Sequence, residues 1–390
     1  MRDNTQYFHV NWIDGMKINK NLFIAQDDAF KNDLFDAASV NLSKIRYGVL
    51  PPASVAQDTF NVNVSIDAQN ILRVSVLNCQ AITQGGVPIN ISASAKAGID
   101  STDGAPSISY PLPPSSGELA YWIVLMVNPF EKRPSGPLIV NETPPRFPYV
   151  LPSYTVQVVS NIQYQQFAAN PFALIIGKVL VVGSGFKIDE DYIPPCISVD
   201  AFPALLEFHS YIEAFLNKLE VNCTRIVQKI FQRKQKNDLS EMVLFVCDRI
   251  LPQLGQTINN FRWTLLYAPP AHLLSSLSGL ARIIKNSIDL YTDSGKDVLI
   301  NYFTEWCDPK QGEIEQILIN MLSERYDNND INKSIITVMS FVSFIGELFQ
   351  ILSNLEFIGK RKEGYVVDEK IIQVAPEIQK PKTSSRFISR

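Results

Sequence analysis

Residues 192–230 read YIPPCISVDAFPALLEFHSYIEAFLNKLEVNCTRIVQKI, and this segment decides the fold because the spacing of its apolar residues changes within it. Before Asp200, prolines at 194 and 195 restrict the backbone to extended conformations, and a third proline follows at 203. After Asp200, apolar residues recur in steps of three and four, on one stripe of a long helix: Phe208, Ile212, Phe215, Leu219, Cys223, Ile226 and Ile230. We therefore predict a Pro-rich joint over 191–205 between a strand-rich part and a helical part.

The sequence after this stripe predicts more helices, which together form a bundle over 206–358. A second apolar stripe runs from Leu239 to Leu265, and the polar residues 235–238 before it predict an antiparallel helical hairpin. Pro252 is expected to kink the second helix. Further helices are predicted at 271–291, 296–307, 310–325 and 331–354.

The last predicted helix contains the most apolar stretch of the chain, residues 335–352. About 18 to 20 such residues could span a bilayer. However, a carboxylate at Glu347 and an amide at Gln350 would be costly in lipid. We therefore favour a helix packed inside the bundle or at a subunit interface, with Ile345 among its packing residues.

The part of the chain before the joint has the period-two alternation of half-buried strands. It is clear in residues 60–66 and 71–76, with turn-forming residues at 67–70 and again at 84–86. This pattern predicts an antiparallel meander within a β-rich domain over 26–190. Stretches 101–117 and 129–152 are rich in Pro, Ser and Gly, so we expect long loops there.

Composition narrows the class of protein. The chain has 390 residues, 46% hydrophobic and 19% charged, a balance typical of folded domains. A net charge of -4 and a pI near 5.6 do not favour nucleic acid. The five cysteines form no C-x-x-C pair, and the N-terminus has no apolar signal region, so we expect reduced thiols and a cytoplasmic protein.

No reaction centre emerges from the sequence. His9, His209 and His272 are isolated, and neither a phosphate-binding loop nor a G-x-S-x-G motif occurs. We therefore predict no catalytic residue, no metal, no cofactor and no enzymatic activity.

The N-terminal segment 1–25 stands out instead, because large apolar residues cluster in it before the first strand. Trp and Met are favoured at protein interfaces. The candidate partner-binding residues are Val10, Trp12, Gly15, Met16 and Phe23. A terminal strap packed on its own domain is an equally good interpretation of the same residues.

The C-terminal segment 359–390 is locally basic. Residues 360–390 contain eight Lys or Arg and four Asp or Glu. A solvated terminus is favoured over a docking segment.

Two segments resemble the TssK family, the trimeric baseplate subunit of the bacterial type VI secretion system. The family motif V-x-W-x-x-G-M with a later Phe is matched by the five N-terminal residues named above. A Y-I-P-P-C joint is matched by 192–196, and a proline-led helix start by 269–273. The order of strand-rich module, joint and helices agrees with the family over about 8–290.

The resemblance implies an α+β fold, with an N-terminal antiparallel β-sandwich like the shoulder domain of phage receptor-binding proteins, followed by a helical stalk. It also implies a homotrimer that binds the TssF–TssG wedge and lies at the inner face of the inner membrane. We expect the helices to bury their stripes between protomers, through Phe208, Ile212, Phe215, Leu219, Ile226 and Ile345.

The sequence departs from the family at two points. Leu22 replaces the usual His, and only about 30 residues follow the last helix, too few for the family's C-terminal head. An inner-membrane complex component would then be contacted by the C-terminal region or by a different partner.

Two other functions remain open. A phage-like adhesion or carbohydrate-binding protein would contact a glycan through its Pro-rich loops and Tyr110, Tyr121 and Trp122. A hydrolase with a dispersed site has the least support.

Overall fold

The structure is a computed structural model that describes residues 7–54, 58–92, 105–113, 119–183, 185–291, 294–307 and 310–360. It contains two antiparallel sheets and a set of helices, an α+β fold. A helix precedes the sheets: α1, Lys20–Ser39. It crosses position 25, where we expected a strap to give way to strands.

The first sheet is organised around its longest strand. It consists of β1 (Gly48–Val49), β2 (Phe60–Ile66), β3 (Ile71–Ile82), β4 (Pro88–Ser92) and β5 (Ser107–Pro111). β3 pairs antiparallel with each of the other four. The predicted turn at 67–70 joins β2 to β3, and Asn70 takes a positive φ of 59° there.

The second sheet follows in the chain and has the order β7-β6-β8-β9. Its elements are β6 (Ala120–Ser135), β7 (Tyr149–Ser160), the short helix α2 (Tyr164–Ala168), β8 (Ala173–Val182) and β9 (Gly185–Ile188). Buried side chains of both sheets form one hydrophobic cluster, including Leu72 and Val74 of β3, Ile123 and Leu125 of β6, and Leu174 of β8. The two sheets therefore share a core.

The prediction of one long loop over 129–152 is wrong. β6 continues to Ser135 and β7 begins at Tyr149, so that only 136–148 connects them. β8 pairs with β6 only between Ala120 and Met126, which leaves the outer half of β6 with a single partner, β7. Proline is tolerated in strands that lack a second neighbour. We call this two-stranded extension, 128–135 and 149–153, the β6–β7 arm.

The helical part has six helices in its described residues: α3 (Pro203–Gln232), α4 (Asp238–Trp263), α5 (Pro270–Asp289), α6 (Ser294–Thr304), α7 (Gln311–Ser323) and α8 (Ile331–Asn354). Each predicted helix is present, with ends displaced by a few residues at most. Pro252 lies inside α4, and the kink that we expected there stays a prediction.

The apolar stripes are buried within one chain. Phe208, Ile212, Phe215, Leu219, Ile226 and Ile345 all belong to the core of the helical part. These side chains therefore pack between helices of the same chain, since α4 and α8 cover α3, and for Ile345 this is the packing inside the bundle that we expected. Their burial leaves little of their surface for contacts between protomers. α8 is long and apolar enough to cross a membrane, and its buried face belongs to the same core.

The joint lies against the first sheet. The Val49 amide donates to the Pro195 carbonyl at 2.7 Å, and the Ile197 amide donates to the Val49 carbonyl at 3.1 Å. Gly48 has a φ of +122°, and a Cβ there would lie 1.9 Å from the Pro195 oxygen. Only glycine fits where the two backbones approach so closely.

A polar loop between α7 and α8 completes the contact between the two parts. We call residues 327–330 the latch. The Tyr47 hydroxyl donates to Asn329 Oδ1 at 2.8 Å, and the Tyr192 hydroxyl donates to the Asn329 carbonyl at 3.0 Å. Lys178 of β8 forms an ion pair with Asp330 at 2.8 Å, and both side chains are largely buried.

Candidate partner-binding surface

The N-terminal strap, residues 7–19, lies along α1 and then enters it. Asn19 caps the helix, since its Oδ1 accepts from the amides of Asn21 at 2.9 Å and Leu22 at 3.2 Å. Gly15 lies in a turn at a positive φ of 80°. The turn reverses the chain, so that residues 9–12 reach the middle of α1.

One side chain of α1 holds the strap. Gln26 Oε1 accepts from the Val10 amide at 2.9 Å and from the Trp12 indole Nε1 at 3.3 Å. Gln26 Nε2 lies 2.8 Å from His9 Nδ1, while His9 Nε2 lies 2.7 Å from Asp33 Oδ2. These distances fit a histidine that accepts at Nδ1 and donates at Nε2. The strap is thereby fixed relative to α1.

Ion pairs hold α1 against the second sheet. Lys132 of β6 lies 2.6 Å from Asp27 and 2.8 Å from Asp28. The hydrogen bond from Lys132 lowers the pKa of the Asp27 carboxyl below its ordinary value of 3.8. Tyr7 also stacks on Phe130, with ring centroids 4.1 Å apart. α1 and the strap therefore form a supported platform.

The outer side of this platform is apolar and exposed. Trp12 is 45% exposed, and on α1 the exposed fractions are 59% for Phe23, 57% for Phe30 and 67% for Leu34. Trp12 and Phe23 lie with ring centroids 6.0 Å apart. We call these four residues the strap surface. Adjacent exposed apolar residues of this size mark interaction sites on soluble proteins.

The five predicted residues divide into two groups. Trp12 and Phe23 are exposed and adjacent, while Gly15 forms the turn. Val10 and Met16 are half-buried, so that they support the strap more than they offer surface. The segment is thus compatible with both interpretations, a strap packed on its own domain and a partner-binding segment. The strap packs on α1, and the Trp12 ring is still exposed.

Phe30 and Leu34 were not predicted. Phe30 follows Phe23 by seven residues, and Leu34 follows Phe30 by four, which places all three on one helix face. Asn19 is a preferred N-cap residue, so the start of this helix was readable. The usual assignment of such a face to the core would still have been wrong, because only Asp28 and Ala29 of α1 are buried.

The residues proposed for glycan binding are placed differently. Tyr121 and Trp122 are buried, and Tyr110 packs partly buried against the core. Trp122 stacks on Tyr164 with ring centroids 4.2 Å apart, and Lys178 Nζ lies 4.7 Å from its ring centroid. Tyr121 and Trp122 are therefore unavailable to a glycan, and the expectation is wrong for these two residues.

A second exposed apolar area lies on the β6–β7 arm. Tyr149, Val150 and Leu151 are consecutive and all exposed. Neighbouring residues of a strand point to opposite faces, so both faces of the arm present apolar side chains. Isolated two-stranded ribbons are only marginally stable in water.

Reactive groups in the described residues are held in structural roles. His209 Nε2 lies 2.9 Å from the Phe261 carbonyl, and its ring stacks on Phe261. The five cysteines are buried thiols, and burial raises the pKa of the Cys79 thiol to about 12. Within the described residues, no three His, Cys, Asp or Glu side chains are grouped to hold a metal ion.

No protein-family model and no curated protein matches this chain. Solved structures that resemble it include TssK from the type VI secretion system of EAEC in complex with a nanobody, at a TM-score of 0.44 and 14% identity, over 84% of this chain and 99% of the other. A second is the TssK-TssF-TssG baseplate subcomplex, at 0.44 and 15% over 88% and 99%. A third is the baseplate complex from the type VI secretion system, at 0.47 and 13% over 88% and 70%. The similarity is one of fold.

Proposed function

We propose that this chain is a non-enzymatic structural connector in a type VI secretion baseplate. In this proposal the two sheets form a shoulder-like sandwich, the helices form a stalk, and the chain acts in the cytoplasm at the inner face of the inner membrane. The strap surface binds a TssF–TssG wedge. The resemblance of residues 10–23 to the V-x-W-x-x-G-M motif suggests the partner, and the strap surface would make the contact.

The observation that carries the proposal is the exposure of Trp12 and Phe23, on a strap and a helix that are already fixed to each other. A large aromatic side chain held in place loses little conformational entropy when a partner covers it. Hot spots of binding are enriched in such residues. The network around Gln26 thus prepares the strap surface for association.

The experiment is co-purification of the full chain with wedge subunits after Trp12→Ala. An aromatic anchor contributes about 2 kcal/mol, so binding should weaken about thirtyfold. Trp263→Ala is the control, because Trp263 is also an exposed tryptophan, at 69% against 45% for Trp12, but lies at the end of α4. It should leave wedge binding unchanged.

Equal wedge binding by the Trp12 variant and the wild type would refute the strap surface as the anchor. Circular dichroism and thermal unfolding of both variants establish that the fold is intact. Loss of wedge binding in the Trp263 variant alone would show that the wedge contacts the helical part instead.

We further propose that the chain is a homotrimer whose contacts involve the β6–β7 arm. The apolar stripes of the helices are buried inside the chain and cannot contact another protomer. The arm, in contrast, exposes Tyr149, Val150 and Leu151. Val150→Asp should lower the mass measured by light scattering to that of a monomer, because it puts a charge into an apolar contact. Val182→Asp, at an exposed position of β8, is the control. A trimer that persists in the Val150 variant would exclude the arm as its contact.

A further inference from the structure

The end of the helical part farthest from the joint is formed by the last turns of α3 and α8 and the segments that follow them. α3 has 30 residues, so this end lies about 45 Å from the joint at a rise of 1.5 Å per residue. Lys229 Nζ connects the two helices, donating to the carbonyls of Ser353 at 2.5 Å and Leu355 at 2.8 Å. We call residues 225–236 and 355–360 the basic tip.

The basic tip concentrates positive charge in a chain whose overall charge is -4. Residues 225–236 contain five basic residues and no acidic one: Arg225, Lys229, Arg233, Lys234 and Lys236. Lys360 adds a sixth. Burial, together with the charges of Arg233 and Arg225, lowers the pKa of Lys229, as expected where cations crowd one another.

Part of this charge is used within the fold. Lys229 caps α8, and Arg233 pairs with Glu356 at 2.9 Å. Asp238 and Glu241 begin α4 nearby. In the described part of the chain, Arg225, Lys234 and Lys236 are exposed and have no carboxylate within ion-pair distance. These three cations are free to meet an anionic partner.

A large apolar side chain lies among these cations. Phe231 is 65% exposed in the last turn of α3. Phe357 lies beneath two cations, with Arg233 Cζ 4.4 Å and Lys360 Nζ 4.1 Å from its ring centroid. The chain continues from Lys360 into Arg361 and Lys362, and residues 361–390 hold seven Lys or Arg and four Asp or Glu.

Exposed cations around a protruding aromatic ring match the interface of an anionic bilayer. Basic side chains are attracted to anionic headgroups, while an aromatic ring is stable at the headgroup boundary. We propose that the basic tip docks on an anionic lipid surface, with Arg225, Lys234 and Lys236 against headgroup phosphates and Phe231 inserted between them. This proposal does not depend on wedge binding.

The experiment measures binding of the full chain to vesicles by flotation. Vesicles of phosphatidylcholine alone are compared with vesicles that also contain phosphatidylglycerol. Each basic residue near such a surface strengthens binding about fivefold, so a triple variant, Arg225→Gln with Lys234→Gln and Lys236→Gln, should bind about a hundredfold more weakly. Salt at about 0.5 M should also weaken wild-type binding, since it screens exposed charges.

The matched control removes the same charge elsewhere: Lys44→Gln with Arg46→Gln and Lys187→Gln, three exposed positions of the β-rich part. It should bind like the wild type. Phe231→Ala should weaken binding severalfold without changing its salt dependence.

Three results would overturn the proposal. The first is equal binding to neutral and anionic vesicles, or to neither. The second is equal binding by the triple variant and its control, which would assign any attraction to net charge or to residues 361–390. The third is binding of polyglutamate or glycerol phosphate as tight as binding of the anionic vesicles. This result would mean that the basic tip binds an acidic protein or a soluble phosphate. Wedge co-purification by the triple variant tests the connector separately.

Discussion

Replacing Tyr192 with phenylalanine removes a single hydroxyl from the contact between the sheets and the helices. Tyr192 is only 8% exposed, and its hydroxyl donates to the Asn329 carbonyl of the latch at 3.0 Å. Burial raises the pKa of Tyr192 well above its ordinary value, so the group remains a donor at every practical pH. The ring keeps its packing against Trp122 in the variant, with centroids 6.2 Å apart in the native structure.

The expected loss in the free energy of unfolding is about 1–3 kcal/mol, because a buried carbonyl is left without its donor. Urea titration followed by circular dichroism measures it, with Tyr211→Phe as the control. Tyr211 is exposed on α3, so the same chemical change should cost less than about 0.5 kcal/mol there. Equal losses in the two variants would refute the latch as a stabilising contact.

Two further pairs of substitutions test the packing. Gly48→Ala should lower the free energy of unfolding by about 3 kcal/mol or more, because a Cβ at φ +122° would lie 1.9 Å from the Pro195 oxygen. Gly255→Ala in α4 should raise it by about 0.5–1 kcal/mol, because a Cβ added there would meet no neighbouring atom within 4 Å. Thermal unfolding measures both changes. Ile345→Asp should prevent folding, because this side chain is 1% exposed and an unpaired charge would be buried, whereas Ile336→Asp on the same helix, at 61% exposed, should fold normally. A folded Ile345 variant, or an unfolded Ile336 variant, would contradict the placement of α8.

The helical part was largely predictable from sequence, since its stripes are long and keep one period. Phe208 to Ile230 lie on one buried face, and Pro269-Pro270 mark the start of α5. Packing within a single chain was not predictable, because a buried stripe has the same pattern whether its own chain or another covers it. The sequence therefore could not distinguish packing inside the bundle from packing between protomers.

The β-rich part was predictable where one face is buried and one exposed. The hairpin β2–β3 has this alternation. The β6–β7 arm does not, since its residues 149–151 are all exposed and its prolines suggested a loop. The latch joins Tyr47 to Asn329 across 282 positions in the chain, and no local pattern reveals such a pair.

The strap surface was half predictable. Composition pointed to Trp12 and Phe23, because large apolar residues before the first strand need an explanation. Helix α1 was missed, and with it Phe30 and Leu34. An outward apolar face has the same spacing as an inward one, and only the tertiary structure distinguishes them.

The hydrogen bonds that Gln26 makes with the strap limit which residues can replace it at position 26. Its carbonyl oxygen receives two N–H groups, from Val10 and Trp12, while its amide nitrogen faces His9. A carboxylate would lack the donor, and a lysine would lack the acceptor. Most surface positions of a helix accept many polar residues, but this one requires an amide of this length. Among related sequences, position 26 should therefore vary less than the exposed rings that it orients.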